Sequence, residues 1–399
     1  MTGRPPWLIV AVAALLVSCG SSGTSAGAIP TLRIAVVGPM TGSASADGQH
    51  ILQGAQLAAD EINGAGGIAS GPYRGRHLEI VTYDDREDVQ QSVSIAKQVV
   101  DDPGLWAFVG TGFSDAAIAT APTLDRAGVP YLSTYASSAQ ILVPPRRHVF
   151  VVPPTFPAYA FSAAERAYAT GHRRAALLVA NAGFTTQMAQ LFAQRFSALG
   201  GAVVDTEPYQ LGDPNAGAAV AAALTHQPDL VALAGLTADD VVQLKALRQT
   251  NSSTAVIDTE AVLFSQNFLN VAGGAAAGVL GQTPSDPQRA TAASAHLREL
   301  YRARFATDVI PDPTAFTYEA IHALAVAFQA GPTTRDALAA ALHEVDIADT
   351  GVARLRFDAS GARLGGVLWY FHVSDGKFVF DTGYVQDSPD HVTQTALQR

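Results

Sequence analysis

Cysteine, lysine and charge are all scarce in this 399-residue chain, which has one cysteine, three lysines and only 15% charged residues. A single cysteine excludes an intramolecular disulfide and a cysteine-built metal site. No Lys/Arg-rich run occurs, and this argues against a nucleic-acid surface, whose affinity comes from neutralising phosphates. The ten histidines are scattered and form no His-x-x-x-His pair, which speaks against a metal site. No Gly-x-x-x-x-Gly-Lys-Ser/Thr loop is present, so the chain is not a P-loop ATPase. Long apolar runs are also missing: Trp7 to Val17 is 11 residues, short of the ~20 that span a bilayer. What is there suits folding. The chain is 48% hydrophobic, enough for two domains of ~150 residues each, with a formal net charge of -10.

The N-terminal apolar run follows Arg4 and the terminal amine, the layout of a secretory signal peptide. It ends in Leu16-Val17-Ser18-Cys19, which resembles the lipobox of bacterial lipoproteins, where cleavage precedes the cysteine and its sulfur carries the lipid. The expectation is a signal peptide over 1–18, a lipid on Cys19 and a Gly/Ser-rich tether over 19–30. Loss of 1–18 removes Arg4 and no acid, giving a mature charge of -10 - 1 = -11.

From Thr31 short apolar runs alternate with longer amphipathic segments. Strands are predicted at 32–37, 78–83, 105–109 and 129–133, with helices over 50–63, 89–100 and 114–127, the last capped by Ser114 or Asp115. A second series starts after Pro153-Pro154. Its strands are predicted near 176–180, 202–205, 230–234, 255–258 and 279–281, with helices near 159–170, 186–199, 216–226 and 238–250. Helices near 289–305, 315–330 and 334–344 follow. The tail from Val352 to Val385 is strand-like, with turns at Ser360-Gly361 and Asp375-Gly376. Strand–helix alternation builds parallel sheets covered by helices on both faces, so the chain reads as α/β with two doubly wound lobes. In such sheets a ligand sits at the carboxyl ends of the strands, against helix N-termini.

Several segments resemble the branched-chain amino-acid-binding (Leu/Ile/Val-binding) family of periplasmic receptors that serve ABC importers. They are Gly38-Pro39-Met40-Thr41-Gly42, Ala58-Ala59-Asp60-Glu61-Ile62-Asn63 with Gly66-Gly67-Ile68, and Tyr83-Asp84-Asp85. The resemblance runs from about Leu32 to Tyr384 and is strongest in the first hundred residues. It implies a type I periplasmic-binding-protein clamp of two lobes joined by three chain crossings. One lobe would comprise 31–152 and 283–345, the other 153–282 and 346–399. It implies that Ser114 and the stretch Tyr135-Ala136-Ser137-Ser138 hold the ligand's carboxylate and that Glu260 receives its ammonium. Phe184, Thr185 and Leu236 fall where pocket aromatics are expected, and Asp47 lies near another tyrosine position, so the ligand's side chain is left open among aliphatic, aromatic and amide types. The partners implied are a small solute and the permease, with no cofactor, no enzymatic activity and a monomeric, lipid-anchored state.

Other readings compete. Gly112-Phe113-Ser114-Asp115-Ala116 comes one residue short of a Gly-x-Ser-x-Gly nucleophile elbow, which makes a secreted serine hydrolase the alternative, with His322, His343 or His372 as base. Ser94-Ile95-Ala96-Lys97 matches Ser-x-x-Lys but lacks the companion motifs of penicillin-recognising enzymes. Asp84-Asp85 reads as a solvated strand-end turn in preference to a metal pair. A ligand-sensing receptor domain of the same fold is a third reading.

Overall fold

The computed structural model describes residues 31–42, 44–215, 217–250, 253–285, 290–388 and 391–395. The expected signal peptide, the tether and Cys19 lie outside these residues.

The chain first lays down β1 (Leu32–Gly38), α1 (Ser45–Gly64), β2 (Leu78–Asp84), α2 (Val89–Asp101), β3 (Leu105–Gly110), α3 (Ser114–Arg126), β4 (Tyr131–Ser133) and β5 (Val149–Val151). Their strands form a five-stranded parallel sheet in the order β2-β1-β3-β4-β5. β1 shows why its sequence is almost continuously apolar. Leu32, Ile34 and Val36 enter one core with Ile51, Ala55 and Ala58 of α1, while Ala35 and Val37 enter the opposite core with Ile95 and Val99 of α2. A strand covered on both faces has no solvent side to mark with polar residues.

The second series is α4 (Phe156–Ala169), β6 (Arg174–Ala180), α5 (Gly183–Ala198), β7 (Ala202–Tyr209), α6 (Gly217–Thr225), β8 (Leu230–Ala234), α7 (Thr237–Gln249), β9 (Ala255–Asp258), α8 (Gln266–Ala272) and β10 (Leu280–Thr283). Then come α9 (Ala292–Phe305), α10 (Asp312–Gln329) and α11 (Arg335–His343). α10 returns to the first lobe, where Phe316, Ala320, Leu324 and Phe328 share the core of α1 and β1. β11 (Asp346–Ile347), β12 (Leu355–Phe357) and β13 (Arg363–Leu364) make a small antiparallel sheet. β14 (Val367–Ser374), β15 (Lys377–Ser388) and β16 (His391–Thr395) complete an eight-stranded sheet ordered β16-β15-β14-β10-β9-β8-β6-β7.

This second sheet is mixed. β10, β9, β8, β6 and β7 run parallel, but β14 to β16 join antiparallel onto β10. The β14–β15 connection is the predicted Asp375-Gly376 turn, with φ of 49° and 69°, the pair of positive values a two-residue type I′ hairpin needs. Three other readings need correction. Residues 346–364, assigned above to the second lobe, put Val352, Leu355 and Phe357 into the first lobe's core. β5 and α8 were not foreseen. The residue capping α3 is Phe113, in extended conformation and with no side-chain bond, so Ser114 is the first helical residue.

The chain passes between the lobes after β5, β10 and β13. Gln386 of β15 bridges the first and third passages: its backbone pairs with Gly365 and Gly366 (2.9 Å each), and its Nε2 donates to Thr155 Oγ1 (3.1 Å). Arg363 and Glu319, both buried, anchor them to the first lobe. Among the described residues no helix is long and apolar enough to cross a membrane.

Candidate functional site

Each residue singled out for binding follows the carboxyl end of a parallel strand. Ser114 comes after β3, Tyr135, Ser137 and Ser138 after β4, Phe184 and Thr185 after β6, Leu236 after β8 and Glu260 after β9. Helix N-termini at these ends present backbone N–H groups that have no partner within the helix.

In the first lobe the loop after β1 is held by Asp84. Its carboxylate accepts Met40 N–H (2.9 Å) and Thr41 Oγ1–H (2.6 Å), and Asp85 behind it is 1% exposed and accepts from Ser92 (3.0 Å). The pair is therefore not a solvated turn: it supplies acceptors that loop backbone would otherwise lack. Burial alone would raise the Asp84 pKa, but the hydrogen bonds from Thr41, Arg86 and Met40 hold it below the usual carboxylate value. Ahead of α3, Thr111 adopts φ of 59°, with its hydroxyl 2.6 Å from that of Tyr131. A left-handed non-glycine residue is uncommon and persists only where its surroundings hold it.

Ser114 is half-buried at the start of α3, and no described group takes its hydroxyl. Tyr135, packed against the first-lobe core, has its hydroxyl pKa pushed up by burial and by the nearby charges of Asp47 and Asp312. Ser137 and Ser138 bring this loop against the other lobe. The Ser137 carbonyl accepts Phe156 N–H at the start of α4 (3.0 Å), and Ser138 Oγ donates to Gln187 Oε1 of α5 (3.5 Å). Ser138 also caps the short turn of helix over Ala139–Leu142, accepting Gln140 N–H at 3.3 Å.

In the second lobe the expected pocket residues divide. Phe184 is half-buried on the first turn of α5, and Leu236 is 41% exposed at the cap of α7. The Thr185 hydroxyl is spent on the turn itself, donating to the carbonyls of Ala180 (2.6 Å) and Ala182 (2.9 Å). The loops bearing Leu236 and Glu260 are pinned together by Thr237 Oγ1–H to the Val262 carbonyl (2.7 Å), and Ala261, next to Glu260, has φ of 63°.

Asp258 builds the Glu260 loop. Its carboxylate accepts the N–H groups of Glu260 (2.8 Å), Val262 (3.0 Å) and Leu263 (3.3 Å), while burial raises its pKa to about 6. Glu260 itself is part-exposed as a residue, but both carboxylate oxygens are closed to solvent and accept nothing. Asp240, in the first turn of α7, is 0% exposed, and the Tyr209 hydroxyl is the one polar side-chain group beside its carboxylate that favours the charged form. An ionised carboxylate so placed costs several kcal/mol, and a helix dipole returns only about 0.3–1 kcal/mol. The penalty wins. Burial comes first in both: repulsion from Asp258 and Asp239 adds to it at Asp240, against a lowering hydrogen bond from Tyr209, and repulsion from Asp240 and Asp258 adds to it at Glu260, so both pKa values stand well above normal. Gly235 makes room for this cluster: a Cβ there would lie 2.2 Å from the Tyr209 hydroxyl and 2.5 Å from Asp240 Oδ1. Asp240 and Tyr209 were missed in the sequence, where an acid in a helix's first turn looks like a dipole complement. Among the described residues no group of three or more His, Cys, Asp or Glu could hold a metal ion.

Residues 31–377 match the periplasmic binding protein family. The chain belongs to that family. A relative among periplasmic binding proteins is the Leu/Ile/Val-binding protein homolog 3 of Brucella melitensis, 23% identical over 360 residues, covering 90% of this chain and 95% of that one. An amino acid binding protein of Pseudomonas aeruginosa is 32% identical over 119 residues, a match that spans 30% of each chain. The fold agrees with a putative branched-chain amino acid ABC transporter structure from Rhodospirillum rubrum at a TM-score of 0.74 and 25% identity, covering 88% of this chain and 99% of that one.

Proposed function

We propose that this protein captures an α-amino acid outside the cytoplasm and presents it to the permease of an ABC importer. The observation that carries the reading is Glu260, a carboxylate shut from solvent with neither oxygen hydrogen-bonded. Such a group calls for a cation, and a zwitterion brings one. Opposite it, the free Ser114 hydroxyl and the α3 N-terminus suit a carboxylate through hydrogen bonds and the helix dipole. Tyr135, Ser137 and Ser138 complete that side, and Phe184 and Leu236 shape the space for the side chain. A ligand with a carboxylate alone would leave Glu260 unpaired, which disfavours simple aromatic acids. The relatives' names, amino acid binding and Leu/Ile/Val binding, point the same way.

Capture proceeds by closure of the lobes about the three passages, a hinge motion of packed units. The chain works as a monomer, tethered by a lipid on Cys19. The histidines that a hydrolase would need lie elsewhere: His322 contacts Glu61, His343 contacts backbone carbonyls of Asp358 and Arg147, and His372 faces Asp381. Titration calorimetry with leucine, other amino acids and benzoate tests the reading. Amino-acid binding that disappears in Glu260→Gln is expected, and undiminished affinity in that variant removes the ammonium role. Cys19→Ser should move the protein from the membrane to the soluble fraction, and unchanged membrane association would sink the anchor.

A further inference from the structure

The ammonium site needs one carboxylate, yet the second lobe buries two with no cation beside either. Asp240 lies on the first turn of α7 and Glu260 after β9. None of their four oxygens reaches solvent, the Glu260 pair accepts no hydrogen bond, and the Tyr209 hydroxyl is the one hydrogen-bonding side chain acting on Asp240. The titratable groups that act on them are acidic or phenolic. From α7 comes Asp239, whose Oδ1 accepts Gly212 N–H (2.6 Å); from β9 comes Asp258, occupied by three backbone N–H groups; from β7 comes the Tyr209 hydroxyl, beside Asp240 across Gly235. The charges acting on Glu260 are those of Asp240 and Asp258, and those acting on Asp240 are Asp258 and Asp239. No cation acts on either. Two carboxylates in such surroundings cannot both ionise while the site is empty.

We propose that Asp240 and Glu260 together hold at least one proton in the ligand-free protein, and that an ammonium group arriving at Glu260 expels it, so that solute capture is linked to proton release. The exchange balances simply. The Glu260 O–H bond breaks, its proton leaves to water, and the carboxylate formed accepts N–H hydrogen bonds from the ligand's ammonium, which keeps its own protons. Asp240 is a positioning residue for this chemistry: it raises the cost of an ionised Glu260 in the empty site and stays neutral when the ligand is bound. The inference rests on the assignment of the ammonium to Glu260.

Affinity then rises with pH while the pair is protonated in the free protein, by about tenfold per pH unit for one proton. Two measurements test this. In ligand-free protein labelled with carboxyl-13C Asp and Glu, a protonated carboxyl is expected at neutral pH, its titration moved to lower pH in Asp240→Asn. Wild-type spectra in which every carboxyl is ionised at pH ~7 overturn the proposal without reference to any ligand. Calorimetry with leucine in buffers of different ionisation enthalpy should show proton release on binding, and Asp240→Asn should flatten the pH dependence of Kd. Leucine binding with buffer-independent heat overturns the proposal and leaves the amino-acid reading standing. If no amino acid binds at all, the amino-acid reading fails, and the ligand-free spectra decide the carboxyl pair by themselves.

Discussion

Arg363 grips Glu319 with two nitrogens, Nη1 at 2.6 Å from Oε2 and Nη2 at 2.9 Å from Oε1, in a pair 1% and 0% exposed. The same guanidinium donates to the carbonyls of Val152 and Arg354, each at 2.9 Å, and the Thr350 hydroxyl donates to Glu319. Val152 leaves β5 and Arg363 precedes the passage to β14, so one ion pair ties two of the three lobe-to-lobe passages to α10.

Replacing a partner of a buried pair strands the other charge, at a cost of about 3–5 kcal/mol, whereas replacing both with apolar residues is often near neutral. Glu319→Ala should therefore lower unfolding free energy in urea by about that much, and Glu319→Leu with Arg363→Met should recover most of it. A single-variant loss under ~1 kcal/mol would show that the pair does not hold the passages.

Ser114 separates a capping role from a binding role. Loss of a helix N-cap costs ~1 kcal/mol, but the cap position here is Phe113 and the Ser114 hydroxyl has no bond to give up. Ser114→Ala is expected to leave the melting temperature unchanged while weakening leucine binding by about tenfold, the worth of one hydrogen bond to a charged group. A fall in melting temperature with full affinity would assign the serine to the helix.

These residues also show what a sequence can display. The α/β alternation was legible because strands such as β1 and β8 are apolar on both faces, β8 sending Ala232 to one core and Val231 to the other. β5 escaped because three residues after Arg146-Arg147-His148 carry too little periodicity to see. The antiparallel addition of β14 to β10 is a long-range pairing that no local pattern encodes. The positions of Ser114 and Glu260 were legible through strand-end placement and family resemblance, but the burial of Asp240 was not. An acid beside Asp239 in a helix's first turn looks solvent-facing until β7 and β9 are seen to close over it. Thr185 erred the other way: a hydroxyl in the right loop is consumed by backbone carbonyls.

Glu61 supplies an acid-sensitive joint between α1, α9 and α10. Its carboxylate contacts His296 Nε2 (2.8 Å), His322 Nε2 (3.2 Å) and the Tyr318 hydroxyl (2.5 Å). Burial would raise its pKa, but the hydrogen bonds from His322, Tyr318 and His296 outweigh it and hold the value down to about 2. A carboxyl depressed in the fold stabilises fully above its unfolded pKa and loses that contribution as pH falls through the folded value. Glu61→Gln should thus cost about 1–3 kcal/mol at pH ~6, a deficit that shrinks as pH falls from ~4.5 toward ~2. Urea melts of both proteins across that range check it. A deficit constant with pH would mean that the charge is not what joins the helices.

Gly235 is the residue on which the acidic site depends for space. A methyl there would sit 2.2 Å from the Tyr209 hydroxyl and 2.5 Å from Asp240 Oδ1, well inside van der Waals contact, and neither group can easily retreat. Asp240 is fully buried, and Tyr209 is 8% exposed, with its backbone carbonyl accepting Asn181 N–H (2.8 Å). Overpacking of this kind costs about 1–3 kcal/mol, less than the several kcal/mol that unfold a typical domain. Gly235→Ala is therefore expected to fold with reduced stability and to lose leucine affinity at least tenfold, because shifting Asp240 and the head of α7 also shifts the Glu260 loop through Thr237 and Val262. Gly235→Ala with Tyr209→Phe should regain part of both losses by removing the nearer atom. Full affinity in the single variant would show that the Asp240 cluster can move without disturbing the place where the ammonium binds.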